Sequence, residues 1–283
     1  MKLTTEIEIA KLPFRLSLSD RICLLGSCFS DTIGSHLIDA GFCAQVNPFG
    51  QLYNPSSIAA AVRRLDSAEP FAESECIEMG AGAQKFCSFE HHTSFARSSK
   101  EEFLAHANAS LEQSAAFWAS CNVVIITLGT AFVWTRDGKV VANCLKRPAC
   151  EFERSLLSLE QIQALLSEVV RSHPEKRFIF TVSPIRHLSD GAHNNTLSKS
   201  LLHLGAQAVM DGDRCCYFPA YEIVMDELRD YRFYAADLVH PRDITADYIW
   251  EKFSYAAFDE KEKEAIRANE KASRFVKHNT LLK

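Results

Sequence analysis

The chain has 283 residues, 47% of them hydrophobic, with ten cysteines and a formal net charge of −5. This is ample apolar material for a large core in one domain over residues 1–283, and acidic and basic residues alternate, leaving no basic stripe for nucleic acid or an anionic membrane. No apolar run reaches the ~18 residues of a membrane span, and the opening MKLTTEIEIAKLPF lacks the apolar core of a secretory signal, so a cytoplasmic protein is expected.

In chain order, five short apolar runs have the length and composition of buried parallel strands. They are RICLLGS at 21–27, CAQVN at 43–47, NVVIITLGT at 122–130, RFIFTVSP at 177–184 and RCCYFPA at 214–220. Segments of helical period fall between them: Asp31–Ala40, Ser56–Asp66, Lys100–Ser120, Leu159–His173 and Asn194–Met210. Strands alternating with helices predict an α/β fold, a parallel sheet covered on both faces, whose ligands bind at the carboxyl ends of the strands. Residues 71–97 read as an insertion with short strands, and AFVWTRDGKVVAN at 131–143 as a hairpin turning at Asp137-Gly138. From Ala257 onward Lys and Glu dominate, which predicts a solvated outer helix with a frayed end.

Several cysteines (Cys23, Cys121, Cys215, Cys216) lie inside apolar runs, where a reduced thiol packs as a small hydrophobe. No CxxC pair or Cys/His grouping has the spacing of a metal site, so no metal is expected. Neither GxxxxGK[ST] nor GxGxxG closes any strand, which counts against a nucleotide-binding protein. Two places could carry chemistry. Gly26-Ser27-Cys28-Phe29 ends the first strand, and Asp237 and His240 stand in the spacing D-x-x-H in DLVHP. A carboxylate three residues before an imidazole can reach its Nδ1 from a loop turn, fix the tautomer and stabilise the imidazolium.

GSCFSD at 26–31 and DLVHP at 237–241 resemble the first and last blocks of the SGNH/GDSL hydrolases. More closely, the chain resembles the GSCFA-domain family, with Ser30 in place of that motif's alanine. NPFGQLYNP at 47–55, ITLGTAFVW at 126–134, VANCLKRP at 141–148 and SPIRHLSDGAHNN at 183–195 extend the resemblance over about residues 20–253. It implies a three-layer, flavodoxin-like SGNH fold and acyl transfer, and it implies no substrate. An enzyme without a cofactor, acting on a small-molecule or carbohydrate acyl ester, is expected.

An ungapped match of G-D-S-L-S-D to residues 26–31 puts Cys28 in the nucleophile's place. A slide of one residue makes Ser27 the nucleophile. A helix N-terminus and a nearby imidazole both lower a thiol's pKa, which favours Cys28. The resemblance makes His240 the base and Asp237 its orienting carboxylate. For the oxyanion, the nucleophile's N–H and that of Gly50 are the expected donors. The superfamily's G-x-N asparagine is replaced here by Ala131, so Thr130 or Asn143 is its substitute.

His92 in the insertion, Arg186 and His187 after the fourth strand, and Lys146 are candidate substrate contacts. For Arg186 the alternative is a salt bridge to Asp190 or Asp211. Leu145 stands where family members carry a histidine. Tyr53, Phe95, Phe132 and Trp134 either line a pocket or pack in the core. The rival to an enzyme is a non-catalytic carbohydrate- or ligand-binding protein using the same cleft.

Overall fold

The computed structural model describes residues 5–281. Ten strands lie among them: β1 (Arg21–Gly26), β2 (Cys43–Val46), β3 (Ile77–Glu78), β4 (Phe86–Cys87), β5 (Val123–Leu128), β6 (Phe132–Arg136), β7 (Lys139–Val141), β8 (Glu153–Leu156), β9 (Arg177–Val182) and β10 (Cys215–Tyr217). The helices are α1 (Cys28–Asp39), α2 (Pro55–Ser67), α3 (Lys100–Ser120), α4 (Leu159–Arg171), α5 (Ala192–Gln207), α6 (Ala220–Glu222), α7 (Asp243–Ala257) and α8 (Glu260–Leu281). A π-helical turn, Ile223–Leu228, continues α6.

All five expected apolar runs form one sheet in the order β2-β1-β5-β9-β10, every pair parallel. Alternate residues of each strand enter opposite cores. Cys23, Leu25, Val124, Ile126, Phe178 and Phe180 pack on one face beneath α2, α3, α4 and α5. Ile22, Leu24, Val123, Ile125 and Ile179 pack on the other, with side chains of α1 and α7 and Ile266 of α8. This order is consistent with a flavodoxin-like fold. It reverses direction between β1 and β5, the point where such sheets place their ligands.

The 71–97 insertion carries the antiparallel pair β3 and β4. The 131–143 hairpin is β6 and β7, turning on Asp137 and Gly138 at positive φ. The structure adds β8 to that hairpin's other edge. Sequence gave β8 no signal, because Glu-Arg-Ser-Leu has no apolar run and three of its four residues are exposed.

The first helix begins at Cys28, three residues before the expected start at Asp31. The acidic and basic tail does form an outer helix, α8, which fastens to the end of α1: Asn269 Nδ2 donates to Ala40 O (2.9 Å) and Ser273 Oγ to Asp39 Oδ1 (2.7 Å). The frayed end expected at the terminus lies outside the described residues. No helix among those described is long and apolar enough to cross a membrane.

Candidate active site

The end of β1 approaches β5 very closely. A Cβ on Gly26 would stand 2.3 Å from Thr127 O, and φ there is +146°, so glycine is required. The chain then turns into α1 with Ser27 as N-cap. Ser27 Oγ accepts the Phe29 N–H at 3.3 Å, and the residue is 1% exposed. Cys28 is the first residue of the helix. Its own N–H is one of the helix's open donors and has no partner among the described residues.

A polar network fixes this corner. Asp31 accepts from Asn47 Nδ2 and Gln51 Nε2, each at 2.6 Å, while Asn47 Oδ1 accepts the Gly26 N–H at 2.9 Å. The loop after β2 is thereby tied to the end of β1.

Asp237 and His240 sit on the loop before α7. Asp237 Oδ1 accepts the backbone N–H groups of Val239 and His240 (both 2.9 Å), and Oδ2 meets His240 Nδ1 at 2.6 Å. The His240 and Val239 N–H donors, then the imidazole, hold the Asp237 carboxyl down to about 2. A carboxylate on Nδ1 assigns the proton to that nitrogen and leaves Nε2 as the acceptor.

Ser27, Cys28 and His240 line one cavity of about 610 Å³ at the carboxyl edge of the sheet. Tyr53, Asn54, Thr130, Phe132, Trp134, Asn143, Arg154, Arg186 and His187 also line it. Among the described residues no hydrogen bond joins Cys28 to His240; they face the same space from different elements. Burial and then Asp31 raise the Cys28 thiol, and the N–H groups of Cys28 and Phe29 and the Lys199 ammonium offset this only in part. The lowered thiol expected from the helix N-terminus is therefore corrected: desolvation outweighs the dipole here.

Several expected roles change for similar reasons. The Gly50 N–H donates to Asn47 O at 2.7 Å, closing the Asn47–Gly50 turn, so it is not an oxyanion donor. Thr130 lines the cavity, but its N–H donates to Tyr53 O, and its hydroxyl accepts the Phe132 N–H and pairs with Ser198 Oγ. Asn143 is better placed. Its Oδ1 is held by the Leu145 N–H at 2.8 Å, and Nδ2 has no hydrogen-bond partner among the described residues.

His92 is not at the cavity; its Nδ1 accepts the Ser94 N–H and caps a short 3₁₀ turn. Its neighbour His91 is buried among Phe49, Phe71, Phe95 and Phe103, and burial pushes its imidazole down to about 3. Phe95 belongs to that aromatic cage and not to the cavity. Lys146 is exposed and outside the cavity, beside a fully buried Leu145. Arg186 and His187 do line it, and burial followed by the Lys199 charge lowers His187 to about 4.

Two residues escaped the sequence reading. Asn54 caps α2 through Oδ1 (Ser57 N–H, 2.8 Å) and lines the cavity, with no hydrogen bond to its Nδ2 among the described residues; NP before an apolar helical run is a cap signal that could have flagged it. Lys199 is 2% exposed, its Nζ donating to Gly129 O (2.7 Å) and Ser183 O (2.8 Å), and burial brings it to about 7. A lysine amid helix residues carries no sequence mark of burial.

Sheet order and cavity define an α/β protein whose conspicuous polar residues gather at the carboxyl edge of a five-stranded parallel sheet. The GSCFA family model matches residues 21–253, and the chain belongs to that family. No curated protein and no solved structure gives a significant match.

Proposed function

We propose that this protein is an SGNH-type esterase or acyltransferase that works through a thioester on Cys28 in the reducing cytoplasm. The reading rests on one observation above the others: His240, held by Asp237 at 2.6 Å, stands in the wall of the cavity that Cys28 also lines from a helix N-terminus. Ser27 is the weaker candidate because its hydroxyl already serves as the helix cap and is buried.

His240 Nε2 takes the Cys28 proton as the sulfur attacks the acyl carbon. The Cys28 N–H, Asn143 Nδ2 and Asn54 Nδ2 are the open donors for the oxyanion. Collapse breaks the C–O bond, the imidazolium returns its proton to the leaving alkoxide, and the thioester passes its acyl group to water or an acceptor hydroxyl, for instance of a carbohydrate. Because the resting thiol is raised, base and nucleophile must meet in the substrate complex, where catalytic hydrogen bonds commonly tighten.

His240→Ala is expected to abolish cleavage of short p-nitrophenyl esters, with the acyl adduct on Cys28 lost in intact-mass spectra. Undiminished turnover refutes the assignment. Absence of any adduct in the wild type, across acetyl and longer-chain esters, would instead favour the ligand-binding alternative.

A further inference from the structure

The chain is acidic overall, with 36 Asp and Glu against 31 Lys and Arg. Its cavity is the reverse: Arg154 and Arg186 line it, and no aspartate or glutamate does. The two arginines differ in how they are matched. Arg154 is ion-paired with Asp190 and lies over the rings of Phe132 and Trp134, 4.9 and 4.7 Å from their centroids. Arg186 has no ion pair and no hydrogen bond among the described residues, and its Nε is buried without a partner.

Neither carboxylate that offered Arg186 a structural role pairs with it, although Asp190 Oδ2 is itself buried without a hydrogen-bond partner. Asp190 holds Arg154, and Asp211 faces Arg214 while accepting three backbone N–H groups. A buried donor left open in a native fold requires an explanation, and a guanidinium facing a cavity is most simply completed by a ligand oxyanion, which its planar fork matches with two parallel hydrogen bonds.

We infer that this cavity selects substrates bearing an anionic group, a carboxylate or a phosphate, which Arg186 binds at a distance from the scissile carbonyl. The inference rests on the acyl-transfer reading for what happens to the substrate, but not for the binding of the anion itself. The neighbouring surfaces suit the assignment: Arg154, its charge matched by Asp190, offers further guanidinium N–H donors, and Ser183, His187 and Ser189 supply polar lining. With low-dielectric aromatic walls, such a cleft focuses its positive field and draws anions from solution.

The test compares 4-acetoxybenzoate and 4-acetoxyphenyl phosphate with the neutral methyl 4-acetoxybenzoate. Wild-type kcat/KM should favour one or both anions over the neutral ester by at least about tenfold, and Arg186→Met should collapse that ratio towards one. Arg186→Lys, which keeps the charge and loses the fork, should fall between them and stands in should the methionine variant not fold. The stronger of the two anionic esters identifies carboxylate or phosphate as the natural group.

Equal use of anionic and neutral esters by the wild type, or a preference that survives in Arg186→Met, overturns the inference. If no ester is cleaved at all, the failure belongs to the acyl-transfer reading. Calorimetry then decides: benzoate or phenyl phosphate should bind the wild type and benzamide should not, with the binding lost in Arg186→Met. Absence of anion binding, or binding that Arg186→Met leaves intact, overturns the inference.

Discussion

Ser27 and Cys28 are adjacent, and the geometry of one helix start gives them different work. The N-cap position turns Ser27 Oγ back onto the Phe29 N–H, whereas the next position sends Cys28 into the cavity wall. Ser27→Ala should therefore cost about 1 kcal/mol of stability, read by denaturant unfolding, as removal of a cap does. The Cys28 thiol makes a second prediction. Its pKa is raised, so at a given pH less of it is thiolate than for an unburied cysteine, and its alkaline limb moves upward. Peptide-resolved iodoacetamide labelling at pH 7.5 should find Cys28 slower than the exposed Cys43, with the gap closing as pH rises. Labelling of Cys28 that is already complete and pH-independent at pH 7 contradicts this.

At the scale of elements, the corner joining β1, α1 and the loop after β2 is held by side chains more than by backbone ladders. Asn47 is its hinge, at φ +46°, accepting from Gly26 and donating to Asp31. Asn47→Ala strands the Gly26 N–H and one Asp31 oxygen, for a cost of roughly 3 kcal/mol. For a chain of this size that is a fall of about 6–12 °C in Tm by calorimetry. The same corner shows what could be read beforehand. NPFG stood out in the sequence, and it does lie next to the end of β1. Assigning Gly50 an oxyanion role failed because residue type does not reveal which N–H groups a turn consumes. His92 failed likewise, since a tandem histidine looks the same whether it caps a turn or meets a substrate. Asp237 and His240 could be read because their contact is local, three residues apart within one loop.

For the molecule as a whole, legibility follows the same division between local and distant contacts. The sheet was readable because parallel strands buried on both faces are short continuous apolar runs, and all five were found. The cavity was readable only in part, because its walls come from the segments around 27–28, 53–54, 130–134, 141–144, 154, 183–189 and 239–240, which only the finished fold brings together. Helix α8 sits across the sheet from the other core and well away from that cavity in sequence and packing. Among its residues with described side chains, Ile266 alone is buried, at 3% exposure, joined to the core that includes Phe42 and Phe258. Ile266→Ala should cost about 2–4 kcal/mol by leaving a cavity under the helix, lowering Tm by roughly 4–16 °C. The proposed ester turnover, measured well below that Tm, should keep its KM, since no residue lining the candidate active-site cavity belongs to α8. A KM that rises together with the fall in Tm would mean that α8 supports the site through α1, whose far end carries Cys28.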